Sequence, residues 1–222
     1  MAAIPTVPAP VATDVPRRPV QVDASHYREA YMTLPRLLAC WHQAKTVSAC
    51  RGQRVLEVGP GPGLTTWLLR RWGFDVVTVD IDPALRPTFT ADIVRLPFGD
   101  GAFDSVLAAE VLEHLPFAQF QPALRELGRV VRGHLVITIP YRTIGIAAGV
   151  NVPLLEPRFV TVGWPWRRRH RFDGQHYWEM GRPGYGRRAV RSAIRAAGLH
   201  IVREFRSPLS LFCYGFVLAG HG

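Results

Sequence analysis

The chain of 222 residues contains few cysteines and a single lysine, Lys45, and it lacks a long apolar run. Its three cysteines, Cys40, Cys50 and Cys213, are odd in number and lack metal-ligand spacing. This pattern argues against a disulfide framework and predicts a reducing compartment. No uninterrupted apolar stretch approaches the ~20 residues needed to cross a bilayer, so we expect no membrane span. These absences together predict a cytoplasmic protein.

The N-terminal segment gives little indication of ordered structure. Residues 2–21 are rich in Pro, Ala and Val and have no basic start, and their prolines would interrupt the apolar core of a signal peptide. We predict a disordered tail over residues 1–22. Nearly half of the side chains in the whole chain are apolar, at 48%, and residues 23–222 are predicted to form one domain with a substantial core.

A glycine-rich turn follows the apolar run at residues 55–58. Gly59, Gly61 and Gly63 alternate with prolines and precede a predicted helix. Glycines at these positions permit positive φ angles and let a ligand approach the backbone. The spacing differs from the G-x-G-x-x-G of a dinucleotide site and lacks the lysine of a triphosphate loop. Glu57 would repel a phosphate, so the turn favours a ligand that carries an ammonium or sulfonium group.

Acidic residues end the next predicted strands. Asp80 closes the β-rich run 75–80, where a doubly wound sheet places the carboxylate that binds a ribose. Asp92 lies near the end of a short third strand, and the fourth strand, 103–109, leads directly into Glu110. Asp82 is predicted to cap a short helix that begins at the following proline.

Four sequence blocks occur in one order: VLEVGPGPG at 55–63, VDIDP at 79–83, ADIVRLPFGDGAFDSVLAAEVLEHLP at 91–116 and LRELGRVVRGHLVITIP at 124–140. In these blocks the chain resembles the class I methyltransferases that use S-adenosylmethionine, especially the large subgroup of small methyltransferases. The resemblance covers roughly residues 54–140. It implies a doubly wound α/β fold with seven mostly parallel strands, the last of them antiparallel.

The resemblance also implies a cofactor, S-adenosyl-L-methionine, and assigns its contacts. The acid and glycines of the turn would hold the methionine moiety, the next acid the ribose, and the third strand the adenine. The residues assigned to cofactor binding are Glu57, Gly59, Gly61, Gly63, Asp80, Ile81, Asp92, Ile93 and Glu110.

The remaining helices and strands are predicted from the periodicity of apolar residues and from the positions of glycine and proline. Helices are expected near 27–47, 64–72, 117–131 and 187–197, and further strands near 134–139, 200–205 and 211–218. Residues 141–186 fall outside this alternation, and a segment of that length is more often a functional lid than a connector. With the first helix, we assign it to substrate binding, and we predict that Tyr27, Tyr141, His176 and Trp178 contact the substrate. The cluster around His176 has a second interpretation, in which it locks the lid onto the sheet.

His114 is the predicted general base, because it follows the fourth strand at the edge where doubly wound sheets bind ligands. A histidine bonded only to backbone at a helix start is the alternative. Glu110, Glu113 and His114 also form an E-x-x-E-H set, and the quinone-pathway O-methyltransferases have a similar cluster that can hold a divalent ion. We expect no metal here.

Positive charge is concentrated at the C-terminal end. Residues 157–222 carry twelve Arg and three acidic side chains. The run 164–171 either presents guanidinium groups to an anionic substrate or forms a solvated basic face.

Three functions remain open. The sequence favours methyl transfer to an O, N or C atom of a small molecule, of anionic or aromatic character. The basic third suggests a nucleic-acid methyltransferase, but the chain lacks the (N/D/S)-P-P-(Y/F) and Pro-Cys motifs of such enzymes. A cofactor-binding protein without catalysis is the third alternative. The sequence leaves the oligomeric state open.

Overall fold

Seven strands form one sheet in the computed structural model of the chain, which describes residues 19–22, 24–27, 31–141, 143–150, 152, 158–165, 168–207, 210 and 212–220. Four helices of eight or more residues accompany them: α1 (Leu34–Ser48), α2 (Leu64–Arg71), α3 (Phe117–Val130) and α4 (Arg187–Ala196). The strands are β1 (Arg54–Val58), β2 (Asp75–Asp80), β3 (Phe89–Thr90), β4 (Phe103–Ala109), β5 (Val131–Pro140), β6 (Thr143–Val150), β7 (Arg158–Pro165), β8 (Leu199–Arg206) and β9 (Cys213–Gly220).

The sheet order is β3-β2-β1-β4-β5-β9-β8. The pairs from β3 to β5 are parallel, and β9 runs antiparallel to both β5 and β8. The predicted doubly wound sheet with an antiparallel last strand is therefore confirmed. Because β1 and β4 are neighbours in the centre and their connections lead to opposite sides, a crevice opens at their carboxyl ends.

Alternating side chains of β1 pack into different layers, as the two-residue period of a strand requires. Val55 joins Ala44 of α1 and Leu69 of α2 in one apolar cluster. Leu56 joins the other cluster, which contains the buried face of α3, including Leu124. The sheet is thus covered by helices on both faces, which explains why its central strands are almost continuously apolar.

Several predicted boundaries differ from the structure. The helix predicted over 27–47 begins at Leu34, with Pro35 in its first turn, where a missing N–H is tolerated. Upstream, Ala24–His26 form a single 3₁₀ turn. The third strand spans only Phe89–Thr90, and β9 begins at Cys213; the predicted start at residue 211 lies outside the described residues. Asp82 caps the short 3₁₀ turn Pro83–Leu85 as predicted, accepting from the Ala84 N–H at 2.9 Å.

The region 141–186 contains a β-hairpin that the sequence analysis did not predict. Strands β6 and β7 pair in antiparallel register over eight residues each and form a separate two-stranded sheet. The rest of the region, from Arg168 to Gly186 among the described residues, has no regular helix or strand and returns the chain to α4. No helix among the described residues is long and apolar enough to cross a membrane.

Candidate active site

A cavity of about 290 Å³ lies at the carboxyl ends of the parallel strands. It is lined by the end of β1, the residues after β2 and β4, and a segment that precedes α1. Parallel strands end at one edge of a sheet, so residues distant in sequence converge there. Eight predicted site residues line the cavity together: Tyr27, Gly59, Asp80, Ile81, Asp92, Ile93, Glu110 and His114.

The glycine turn is shaped by positive φ angles at all three glycines. Gly59 has φ 68°, its N–H donates to the Val79 carbonyl at 2.8 Å, and a Cβ atom there would collide with the Val111 side chain. A Cβ on Gly61 would lie 3.2 Å from the Tyr27 ring, whereas Gly63 has open space around it. Glycine is therefore required at 59 for two reasons, conformation and close packing.

Asp80 ends β2 at the cavity wall. Its Oδ1 accepts the Asp82 N–H at 2.9 Å, which fixes the direction of the carboxylate. Partial burial raises the pKa of Asp80, and the hydrogen bond from Asp82 opposes that rise. The group is placed to accept hydrogen bonds from a ligand hydroxyl. Ile81 follows it in the lining and supplies an apolar contact.

Asp92 and Ile93 form a tight turn beside β3. Asp92 Oδ1 accepts the Val94 N–H at 3.1 Å, and the Arg95 N–H donates to the Asp92 carbonyl at 2.9 Å. Ile93 is buried in the main apolar cluster while it lines the cavity. This turn presents one acid and one apolar side chain to a ligand.

Glu57 is buried on the side of β1 that faces α2. It shares a face with Val55, two residues earlier, and its carboxylate accepts a hydrogen bond from the Thr66 hydroxyl. Burial raises the pKa of Glu57 to about 7, and the Thr66 hydrogen bond and Arg70 act in the opposite direction. Glu57, Gly61 and Gly63 are not among the residues that line the cavity, although Gly59 is.

Glu110 has an uncommon backbone conformation for a residue with a side chain, φ 54°. Such left-handed residues outside glycine occur mainly where the surrounding structure fixes them, often at functional sites. Its N–H donates to the Thr138 carbonyl at 3.0 Å. Its Oε1 atom is buried without a hydrogen-bond partner among the described residues, and burial raises the pKa of Glu110 to about 7. A buried acceptor without a partner at a cavity wall fits a ligand that brings a donor or positive charge.

His114 lines the cavity at the end of a 3₁₀ turn that follows β4. Its Nδ1 lies 3.0 Å from the Gln175 carbonyl oxygen, which can only accept, so Nδ1 carries the proton. Nε2 is then left as an acceptor. Burial lowers the pKa of His114 to about 4, so the ring is neutral at physiological pH and is a weak base. His114 is thus bonded to backbone and also lines the cavity, and its role as general base stays a prediction.

Glu113 is fully buried, and neither of its carboxylate oxygens has a hydrogen-bond partner among the described residues. Burial, reinforced by repulsion from Glu110, raises the pKa of Glu113 well above its ordinary value. Its Oε1 lies 3.9 Å from His114 Nε2 and 4.0 Å from His176 Nε2. The donor atoms of Glu113, His114 and His176 lie within 4.8 Å of one another. In the structure, His176 therefore takes the place that the sequence analysis gave to Glu110 in this cluster.

The other residues predicted to contact substrate lie away from the cavity lining. Trp178 is fully buried, packs edge-on against Phe117 and Phe120 at 4.9 and 5.0 Å, and donates from Nε1 to the Leu115 carbonyl at 3.1 Å. Tyr141 is buried against the ring of Tyr214, at a centroid distance of 5.4 Å. These contacts give Trp178 and Tyr141 packing roles.

His176 joins the region 141–186 to the edge of the sheet. Its ring contacts His114 edge-on at 5.0 Å, and its Nδ1 lies 3.6 Å from Glu179 Oε1. Glu179 is buried, and its Oε2 accepts a hydrogen bond from Arg182 Nε at 3.0 Å. These contacts support the second interpretation of this cluster, in which it fastens the lid, without removing His176 from the neighbourhood of the cavity.

Sequence reasoning missed the part that the N-terminal segment plays. Of the tail predicted over 1–22, residues 1–18 lie outside the described residues, but Pro19, Gln21 and Val22 line the cavity. In the amide orientation that satisfies its neighbours, Gln21 donates to the His114 and Gln175 carbonyls at 2.9 and 3.1 Å and accepts from the Tyr177 hydroxyl at 3.0 Å. No motif in the sequence signals these contacts.

Comparison with known proteins agrees with this architecture. Residues 56–137 match the family model of a methyltransferase domain. The chain is 36% identical over 110 residues to the demethylmenaquinone methyltransferase of Mycobacterium tuberculosis, covering 44% of this chain and 46% of that protein. It is 31% identical over 148 residues to the ubiquinone biosynthesis O-methyltransferase of Azorhizobium caulinodans, covering 60% and 56%. The chain thus spans about half the length of the curated relatives it matches.

Among solved structures, the fold is similar to the 1,6-didemethyltoxoflavin-N1-methyltransferase of Burkholderia thailandensis, with a TM-score of 0.59, 16% identity and coverage of 96% of this chain and 95% of that one. Residues 56–137 thus match a methyltransferase domain, and the chain shares its fold with a solved methyltransferase. The resemblance to methyltransferases drawn from the sequence motifs is confirmed over this matched region.

Proposed function

We propose that this protein transfers a methyl group from S-adenosylmethionine to a small-molecule acceptor. The observation that carries the proposal is the convergence of Gly59, Asp80, Ile81, Asp92 and Glu110 on one cavity. Their order along the chain and their positions after successive strands are those expected for a nucleoside with an attached cationic group. The curated relatives named above are methyltransferases by name, which supports the same reaction type.

The lining fits the proposed cofactor chemically. Asp80 would accept hydrogen bonds from the ribose hydroxyls, and Ile81 would pack against the adenine. Asp92 and the Ile93 N–H would meet the polar edge of the base. Glu110, whose buried Oε1 has no hydrogen-bond partner among the described residues, would attract the positively charged part of the ligand.

Glu57 has an indirect part in this scheme. Its carboxylate is bonded to Thr66 at the start of α2, so it would hold the glycine turn in place and contribute negative potential behind it. The methionine moiety would then contact the backbone at Gly59 and the turn that follows.

When bound, the cofactor supplies a methyl group activated by its sulfonium. The chain must align the acceptor atom with that group and exclude water. Tyr27, Tyr177 and His114 line the cavity and are the side chains proposed to contact the acceptor. The neutral Nε2 of His114 would accept a proton if the acceptor atom carries one, and an acceptor of low pKa would need no base.

Two measurements test the proposal. Isothermal calorimetry with S-adenosylmethionine is expected to show saturable binding at one site per chain. Incubation of the protein and cofactor with a metabolite extract, followed by mass spectrometry, is expected to show S-adenosylhomocysteine and a product heavier by one CH₂ unit. Absence of saturable binding would overturn the proposal, and binding without turnover across varied extracts would favour a non-catalytic binding protein.

A further inference from the structure

The β6–β7 hairpin carries a continuous face of large apolar side chains. In an antiparallel pair, directly opposed residues project to the same side, and alternate pairs share a face. Ile144 opposes Trp164, Ile146 opposes Val162, and Ala148 opposes Val160. All six therefore lie on one face of the hairpin. The five larger ones are exposed, from 53% for Val162 to 76% for Ile146.

The opposite face of the hairpin has a different composition. It carries small residues, including Gly145, Gly149 and Gly163, together with Thr143 and Thr161. A Cβ on Gly149 would lie 2.8 Å from the Phe159 ring. Phe159, opposite Gly149, is the one large apolar side chain on this second face among the described residues, and the others named above lie on the first. Exposed apolar patches of this kind on soluble domains mark surfaces that bind a partner or a membrane.

Positive charge lies at one end of this face and in the segment that follows the hairpin. Arg158 opposes Val150 at the far end of the same face, and Arg169 and Arg171 are exposed just after β7. Residues 157–222 carry twelve Arg and three acidic side chains. This charge would attract an anionic partner. It would oppose pairing with a second copy, because a symmetric interface brings the same positive charges together.

We propose that the β6–β7 hairpin is a membrane-surface anchor, which places its apolar face in the interfacial region of an anionic lipid bilayer while the neighbouring arginines contact the headgroups. Apolar side chains beside cationic ones are the combination that binds such surfaces. Trp164 is suited to the interface because its ring is apolar and its N–H is polar. The proposal is separate from methyl transfer and does not depend on it.

The test uses the full chain with vesicles of phosphatidylcholine alone and of phosphatidylcholine mixed with phosphatidylglycerol. Sedimentation is expected to show binding to the anionic vesicles that weakens as salt is raised, and weak binding to the neutral ones. Brominated lipids are expected to quench part of the tryptophan fluorescence, and that part should be absent in Trp164→Phe.

Two sets of variants separate the apolar and electrostatic contributions. Ile146→Asp combined with Val162→Asp is expected to weaken binding by about tenfold or more, because two charges would enter an apolar environment. Val202→Asp is the matched control: Val202 is 57% exposed on β8, outside the hairpin, so binding should be unchanged. Arg158→Gln should weaken binding to the anionic vesicles only.

Circular dichroism and thermal unfolding establish that each variant is folded. The proposal is overturned if the wild-type protein fails to bind anionic vesicles, or if the double variant binds as well as the Val202→Asp control. It is also overturned if sedimentation velocity shows a dimer that the double variant dissociates while vesicle binding is absent. Failure of methyl transfer would leave all of these outcomes unaffected.

Discussion

The Thr66 hydroxyl at the start of α2 donates a hydrogen bond to the buried carboxylate of Glu57 on β1. This contact joins the strand before the glycine turn to the helix after it. The pKa of Glu57 is raised from 4.5 to about 7, chiefly by burial. The turn is therefore held by a group whose charge changes near neutral pH.

Glu57→Gln should reduce the pH dependence of stability. An acid whose pKa rises on folding holds its proton more tightly in the folded state, so its stabilising contribution is complete below pH 4.5 and is lost as the pH rises through about 7. The glutamine stays neutral. We expect similar free energies of unfolding for the two proteins at about pH 5 and a variant more stable by up to about 3 kcal/mol above about pH 8.

Urea unfolding of both proteins without ligand at several pH values measures this difference. Glu110 has a pKa raised to about 7 as well, so the variant should keep part of the pH dependence. Parallel stability curves for wild type and variant would show that Glu57 does not titrate in this range.

Gly59→Ala should be more harmful than Gly63→Ala. Both positions have positive φ, which costs a residue with a side chain roughly 1–2 kcal/mol. Only at Gly59 would the new methyl group also collide with Val111, which adds about 1–3 kcal/mol. Thermal or urea unfolding measures both effects. Val111→Ala in the Gly59→Ala background should recover the second part, and equal losses at the two glycines would contradict the packing argument.

Asp80→Asn should weaken S-adenosylmethionine binding by about 1–3 kcal/mol, because a hydrogen bond to a charged acceptor would be replaced by one to a neutral amide. Asp75→Asn is the matched control at the other end of β2, where the side chain is exposed and away from the cavity. Calorimetric titration of the three proteins gives the comparison. If the affinity of Asp80→Asn equals that of the control, the ribose assignment is wrong.

His114→Asn should lower turnover more than cofactor affinity, because His114 lines the cavity on the side proposed for the acceptor. The pKa of His114 is lowered to about 4, so its protonation should reduce kcat only below about pH 5. Steady-state rates across pH, with the reaction product identified, provide the measurement. A wild-type inflection near pH 6.5 that disappears in the variant would contradict this environment for His114.

Turnover should not require an added divalent ion, as expected from the sequence. Burial raises the pKa of Glu113 well above its ordinary value and lowers the pKa of His114, so burial disfavours the charged form of each group. Dialysis against a chelator, with metal content measured before and after, tests this expectation. A stoichiometric metal whose removal abolishes activity, and whose return restores it, would instead assign Glu113, His114 and His176 as its ligands.

The sequence blocks between 55 and 140 predicted the sheet and seven of the residues that line the cavity, because local signals coincide there with tertiary requirements. The glycines at 59, 61 and 63 all have the positive φ that their type permits, and Asp80 ends its strand at the cavity. Where a residue's neighbours come from distant segments, prediction was poorer. Trp178 was predicted to contact the substrate, but in the structure its side chain is fully buried in the core.

The β6–β7 hairpin shows a second reason why structure could not be predicted from the sequence. Its alternation of large and small residues reads as a weak strand pattern among glycines, and the pairing of β6 with β7 appears only in three dimensions. The same is true of Gln21, whose partners lie more than ninety positions away in the chain, at His114 and beyond.

The sequence by itself determined the local features from which the sheet is built. These are apolar runs of strand length, a glycine-rich turn and acids at the ends of strands. These follow from backbone conformation and short-range periodicity, which are properties of neighbouring residues. Only the tertiary structure decided which side chains share the cavity, that Glu113 is buried without a hydrogen-bond partner among the described residues, and that one face of the hairpin is apolar and exposed. Burial and juxtaposition depend on contacts between segments far apart in the chain, and those contacts are set by the packing of the whole domain.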